Sequence, residues 1–391
     1  MSLSTRPVRR LGSFCRIPGR PIACLGVVSS SHRLVSTSSS PAIPQTPRPR
    51  PAAAAHCLRT RTSSSSRHLN STTLQPPAAR TMATNAASQV VPASAGQRLA
   101  GKTILITGAS AGIGQACALE FALAQPHDLR LILAARRLDV IKEIATAITK
   151  QVGDGVKILP LQLDVSKPDE VRTFVGKLPE EFKNIDILIN NAGGVRGVET
   201  AGNIAESDIN IMFDTNVTGL INVTQAVLPI FFARPDGGAG DIVNIGSIAG
   251  REPYAGGSIY CATKAAVRSF TDSLRRETIS TKIRVMEVDP GAVETVRNPP
   301  STIATTNGES EKEELLANSV GMKEFSVVRF RGDKAKAAAT YAGMEPLTPQ
   351  DIAEVIVFNV TRRQNVVVAD SLIFPTVQAG TGAANMYRKP A

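Results

Sequence analysis

The stretch Thr103–Gly114, T-I-L-I-T-G-A-S-A-G-I-G, decides how this chain is read. Thr103–Thr107 is a short apolar run of β-type residues, and a helical pattern follows the glycines to about Ala124. Strand, glycine turn and helix in that order is the setting in which glycine spacing acquires meaning. Gly108, Gly112 and Gly114 let the backbone approach a pyrophosphate, while the helix N-terminus offers unpaired N–H groups and a positive dipole end. The spacing is G-x-x-x-G-x-G and not G-x-G-x-x-G, and a bare glycine loop fits a structural turn equally well. Context, more than spacing, points to a dinucleotide.

The next strand, Leu129–Ala135, ends about twenty residues past the last glycine, where an acid would take a ribose 2′-hydroxyl. Here the chain reads Ala134-Ala135-Arg136-Arg137. Two guanidiniums with no acid suit a 2′-phosphate, and as a plain helix start they would oppose the dipole. NADP(H) is therefore favoured over NAD(H). Strand-type runs at Val156–Leu163 and Asp186–Asn190 alternate with helical stretches at 137–151 and 168–178. That alternation predicts a parallel sheet with helices on both faces. Asp164, Val165 and Asn190–Gly193 (N-N-A-G) fall where those strands end, the place ligands occupy in such sheets.

Further along, Ser247–Lys264 reads S-I-A-G-R-E-P-Y-A-G-G-S-I-Y-C-A-T-K. If a helix begins at Ser258, Tyr260 and Lys264 lie one turn apart on one face. A tyrosine titrates near ~10, so acting at neutrality requires a shift of about three units, or ~4 kcal/mol. One cation at about 4 Å supplies roughly that at an effective dielectric of about 20. By itself the pair is a weak signal, and two residues that merely share a helix face are the commoner meaning of such spacing.

T-G-A-S-A-G-I-G (Thr107–Gly114), N-N-A-G, Asn216, Ser247, Tyr260, Lys264 and Pro290-Gly291 stand in an order that resembles the short-chain dehydrogenase/reductase family over residues 98–378. More narrowly, A-A-R-R, M-F-D-T-N-V-T-G-L (Met212–Leu220), S-I-Y-C-A-T-K and F-S-V-V-R-F-R-G-D (Phe325–Asp333) are similar to the NADP-dependent 3-hydroxy acid dehydrogenases, which oxidise L-serine and L-allo-threonine at C3. The resemblance implies an α/β fold, a single Rossmann-type doubly wound parallel sheet. It also implies a homotetramer or homodimer built through long helices around 207–232 and 258–280, and a small 3-hydroxy acid as substrate. Tyr260 would be the acid/base, and Lys264 would lower its pKa and bind the ribose. Ser247 would bond the substrate oxygen, and Asn216 would hold a water leading from Lys264 to solvent. NADP would be held by Gly108, Ser110, Gly112, Ile113, Gly114, Arg136, Arg137, Asp164, Val165, Asn191, Ala192, Gly193, Tyr260, Lys264, Pro290, Gly291, Val293 and Thr295. Alcohol oxidation needs a base within about 2.6–3.2 Å of the hydroxyl, and NADP+ would add a second positive charge favouring the phenolate. Two rivals stand beside this reading: a carbonyl reductase for substrates lacking a carboxylate, and an NADP(H)-binding regulatory protein without turnover.

Composition divides the chain. Residues 1–100 hold thirteen of the 44 basic residues and none of the 33 acidic ones, so the net +11 belongs to the tail. The basic balance thus gives no argument for nucleic acid binding by the folded part. Residues 1–97, rich in Arg, Ser and Pro without apolar periodicity, read as a disordered tail. Its composition is that of an organellar, mitochondrial transit peptide; the alternative is a cytoplasmic protein started at Met82. No apolar run approaches the ~20 residues of a membrane span. Cys117 and Cys261 are the only body cysteines and His127 the only body histidine, which argues against disulfides, zinc sites and histidine triads.

Residues 98–391 read as one dehydrogenase domain carrying an inserted segment, 296–323, which is either a lid beside the substrate pocket or a retained intron. Past it, Arg329 is a candidate for a substrate carboxylate, which a guanidinium binds bidentately; Arg251 is a second. A helix is expected at Asp351–Val360, opened by Thr348-Pro349, and the last strand at Asn365–Ala369.

Overall fold

The computed structural model describes residues 93–235, 237–294 and 325–389. The expectations for the N-terminal tail up to residue 92, for Thr295 and for the segment 296–323 lie outside the described residues. Seven parallel strands are described: β1 (Lys102–Thr107), β2 (Leu129–Ala135), β3 (Val156–Gln162), β4 (Ile187–Asn190), β5 (Ala239–Ile245), β6 (Lys282–Pro290) and β7 (Asp370–Ile373). They are ordered β3-β2-β1-β4-β5-β6-β7. The chain builds outward from β1 to β3, then returns to the other side of β1 with β4. This reversal opens a crevice at the carboxyl ends of β1 and β4.

Alternation along the strands feeds two cores. Ile104 and Ile106 of β1 face one side, with Leu131 and Leu133 of β2. There they meet α2 (Gly112–Ala124), α3 (Leu138–Val152) and α11 (Pro349–Val360) through Phe121, Ile141, Ile352 and Ile356. Leu105, Ile132, Leu188 and Ile242 face the other side. Their partners are Phe174 of α4 (Pro168–Lys177), Val223, Val227 and Phe231 of α7 (Leu220–Phe232), and Leu274 of α8 (Ser258–Glu277). Each such side chain fully buried contributes about 1.5–3 kcal/mol, so sheet register is set from both faces at once. Short helices complete the set: α1 (Ala95–Leu99), α5 (Glu180–Lys183), α9 (Phe325–Arg329) and α10 (Lys334–Ala339). The start of α11 is a reciprocal cap in which Thr348 and Asp351 satisfy each other's backbone, with Pro349 at the first turn.

Three sequence expectations change. Asn365–Ala369 is not the last strand; β7 pairs with β6 only from Asp370, opposite Glu287. Val366 instead closes a turn onto Arg363 O. The long helix expected at 207–232 is α6 (Glu206–Phe213) and α7 joined by a wider π-type turn, Asp214–Gly219. The expectation that no stretch approaches a membrane span also changes: α6, the π-type turn and α7 make one 27-residue helix, and an 18-residue stretch of it has a mean hydropathy of 1.2, long and apolar enough to cross a membrane. Burial of Val223, Val227 and Phe231 against the sheet accounts for that apolarity.

Candidate active site

On the β1–β4 side the site is made of main chain. Gly108 has φ +65°, and a Cβ there would lie 2.9 Å from Ala192 Cα. A Cβ on Gly114 would lie 2.4 Å from Gly108 O, so the helix starts tight against the loop. Thr107 Oγ1 accepts from the N–H groups of Asn191 and Ala192, both at 3.0 Å, and Asn191 Nδ2 donates to Thr107 O and Gly108 O at 2.9 and 3.2 Å. These bonds lock the N-N-A-G loop to the glycine loop. Ala111, the N-cap of α2, has no side-chain acceptor, so the first N–H groups at Gly112, Ile113 and Gly114 face the crevice uncapped by any side chain. A pyrophosphate fits this cradle on steric and electrostatic grounds.

The two arginines separate. Arg136 is exposed, whereas Arg137 is half-buried and donates to Ser110 Oγ at 3.0 Å and Ser110 O at 3.3 Å. Asp164 turns its carboxylate to Ser166, and Val165 packs beneath Gly219 of the π-type turn. Pro290 ends β6, Gly291 closes on Ile373 O, and Val293 forms an isolated parallel bridge with Leu347. Gly193 faces Asn216 and Lys264: a Cβ there would lie 3.2 Å from Asn216 Oδ1 and 3.7 Å from Lys264 Nζ.

Ser247, Tyr260, Lys264 and Asn216 come together at the ends of β4 and β5. α8 begins at Ser258, and Lys264 Nζ lies 5.9 Å from the centroid of the Tyr260 ring while donating to Ile245 O at 2.8 Å. The Tyr260 hydroxyl is a hydrogen-bond partner of Ser247, whose Oγ also accepts from Ala249 N. Asn216 lies in the π-type turn with its side chain engaged by Gly194 N, Gly194 O and Thr263 Oγ1. That side chain ties the loop after β4 to α8. The electrostatics also differ from the expected phenol lowered by lysine. Burial pushes the Tyr260 phenol well above its ordinary value, and Tyr254 adds to this; Ser247 and Arg329 oppose it. Burial pulls Lys264 down to about 8, against the carboxylates of Asp289 and Glu287.

The substrate side is built from side chains. Val195, Glu199, Met212, Gly257 and Ser258 line a pocket that reaches Tyr260. The Arg329 guanidinium lies 5.2 Å from the Tyr254 ring centroid and 5.6 Å from that of Phe330. Its Nε is buried with no hydrogen-bond partner among the described residues. Arg331, at φ +53°, is held by Glu199 at 3.0 Å and Asp208 at 2.8 Å, which pins the segment after α9 over the pocket. Arg251 is not available for a substrate carboxylate. It donates to Asp289 Oδ2 at 2.7 Å and pairs with Asp370, because two acids from β6 and β7 reach it first. Those acids, with Glu287, were missed in the sequence; the signal was E-V-D-P, two acids at alternate positions of an otherwise buried strand.

Comparison with known proteins agrees with this architecture. The family model described as short chain dehydrogenase matches residues 102–305. The NADP-dependent 3-hydroxy acid dehydrogenase of Schizosaccharomyces pombe is 49% identical over 294 residues, 75% of this chain and 99% of that protein. The Escherichia coli K12 protein of the same description is 36% identical, over 73% of this chain and 99% of its own. Sulfoacetaldehyde reductase 2 of Chromohalobacter salexigens is 35% identical, over 72% and 97%. Among solved structures, a closed form of serine dehydrogenase complexed with NADP+ superposes with a TM-score of 0.59 at 35% identity, covering 73% of this chain and all of that one.

Proposed function

The chain belongs to the short-chain dehydrogenase family, and from that premise we propose that it is an NADP-dependent oxidoreductase interconverting the C3 hydroxyl and carbonyl of small 3-hydroxy acids. The observation that carries the substrate class is Arg329: a guanidinium stacked against Tyr254 and felt electrostatically at Tyr260, with a buried Nε–H awaiting an acceptor. A carboxylate satisfies that donor and is held at a fixed distance from the reacting hydroxyl.

NADP+, when bound, supplies the hydride acceptor. The chain's own residues do the rest. The glycine cradle takes the pyrophosphate, and Arg136, exposed beside it, takes the 2′-phosphate. Tyr260 removes the proton from the substrate hydroxyl while Ser247 donates to the same oxygen. Burial favours the protonated phenol, so Tyr260 is set as the acid for carbonyl reduction, and Ser247 and Arg329, which oppose that shift, ease formation of the phenolate for oxidation. Ile211, Phe213 and Phe232, exposed along the α6–α7 helix, leave apolar surface that suits a homodimer or homotetramer packed through this helix; sedimentation at micromolar concentration tests it.

The decisive experiment is NADP+ reduction with L-serine, allo-threonine, 3-hydroxyisobutyrate and neutral secondary alcohols. Acids are turned over with kcat/KM well above that of the neutral alcohols; equal rates sink the reading. The sulfoacetaldehyde reductase among the relatives supports a second anion, since a guanidinium accepts a sulfonate as readily, and 2-hydroxyethanesulfonate in the panel separates the two.

A further inference from the structure

Behind Ser247 lies a charged cluster that the reaction so far described does not use. Glu287 and Asp289 stand two apart on β6 and therefore point to the same face; they are 2% and 1% exposed. Gly246 makes room for them, since a Cβ there would lie 1.8 Å from Asp289 Oδ1 and 2.6 Å from Glu287 Oε1. Asp289 Oδ1 accepts the main-chain N–H of Ser247 at 2.7 Å, and Oδ2 accepts Arg251 Nε at 2.7 Å. Ser247 and Arg251 are the two ends of one 3₁₀ turn around Ile248–Gly250. One carboxylate thus closes the turn that presents Ser247.

The brace extends further. Arg251 pairs with Asp370, the first residue of β7, and Arg268 of α8 faces Asp289 and Asp370 from 3.9 and 3.8 Å. Glu287 uses Asp289 as its hydrogen-bond partner, while its Oε1 is buried without one. Two buried carboxyls in contact cannot both be ionised cheaply, so they share a proton.

We propose that Asp289, braced by Arg251 and backed by Glu287, is the positioning residue that sets Ser247 for the reaction. The proposal rests on the reading of Ser247 and Tyr260 as the groups that meet the substrate oxygen. A charged acceptor holds an N–H more firmly than a neutral one, and here it fixes the serine from the side opposite the pocket. The groups facing Glu287 are Asp289, Asp370, Arg268 and, across the end of β5, Lys264. Burial, with Asp289 beside it, pushes Glu287 up to about 8, and Lys264 stands at about 8 as well. As pH rises, the proton that Glu287 gives up leaves a second negative charge, which keeps the proton on Lys264.

The test uses the full chain with Asp289→Asn and Glu287→Gln. Asp289→Asn lowers kcat by about tenfold or more, the effect of losing one hydrogen bond to a charged acceptor, with KM for NADP+ little changed. It also speeds amide exchange in the Ser247–Arg251 turn relative to β5. Glu287→Gln moves the alkaline limb of the kcat profile down by about one pH unit, which a merely structural role would not do. An unmoved limb in Glu287→Gln, or unchanged exchange and kcat in Asp289→Asn, overturns the proposal. Should Asp289→Asn fail to fold, Glu287→Gln decides alone. Should the wild-type chain oxidise no alcohol, the functional reading fails, and exchange at Ser247 in the two variants still decides whether the brace holds it.

Discussion

The two walls of the crevice are built by different means. The β1–β4 wall is main chain: Gly108 and Gly114 packed against Asn191 and Ala192, with Thr107 and Asn191 stitching loop to loop. The β5–β7 wall is side chain: Arg329, Tyr254, Arg251, Asp289, Glu287 and Asp370, drawn from segments up to 119 residues apart. A backbone cradle recognises what all dinucleotides share. A wall of charges held by one another can distinguish substrates, and each substitution there has consequences beyond its own contact.

The largest effect is expected where the walls meet. Tyr260→Phe keeps the buried ring and removes the proton-transfer group, so turnover falls by about 10²–10⁴-fold while NADPH binding, followed by fluorescence, persists. Activity near wild type would break the assignment of acid and base to this side. Next, Arg329→Leu raises KM for hydroxy acids by about tenfold or more, since a charge-assisted bond is lost, and spares neutral alcohols. Arg251→Leu sharpens the contrast, because it harms acids and neutral alcohols alike through Ser247.

On the main-chain wall the effect is smaller and divides by residue. Arg136→Ala raises KM for NADP+ by about tenfold with little change for NAD+. Arg137→Ala weakens both cofactors, because Arg137 also holds Ser110 in the glycine loop. The reverse pattern in steady-state kinetics would exchange their roles.

The charged wall also carries a pH signature. The folded-state value for Glu287, about 8, is raised above its ordinary 4.5. The native state therefore binds the extra proton over that window, and the stability it brings below pH 4.5 is lost as pH rises toward 8. Glu287→Gln removes this loss, so its Tm advantage over wild type widens from pH 5 to 8 in calorimetry; parallel Tm curves would refute it. The smallest effect belongs to the rim. Glu199→Gln loosens an ion pair whose Arg331 side is half exposed, and KM changes by only about two- to threefold.

How much of this was legible varies along the chain for one reason. Wherever a function is carried by neighbours in sequence, the sequence is enough: strand, glycine turn and helix at Thr103–Ala124, Tyr260 one turn before Lys264, Thr348-Pro349 opening α11. Period and turn chemistry are local, and the parallel order follows from alternation of strands and helices. Tertiary structure alone decided which arginine is spoken for. Arg251 and Arg329 look alike in sequence, but β6 and β7 bring Asp289 and Asp370 to the first, and among the described residues the second lies against the rings of Tyr254 and Phe330. It also decided the direction of the Tyr260 phenol, because burial in the assembled cleft outweighs a cation one helical turn away. Charge pairing and desolvation depend on distances between segments remote in the chain, and those distances exist only once the sheet has closed.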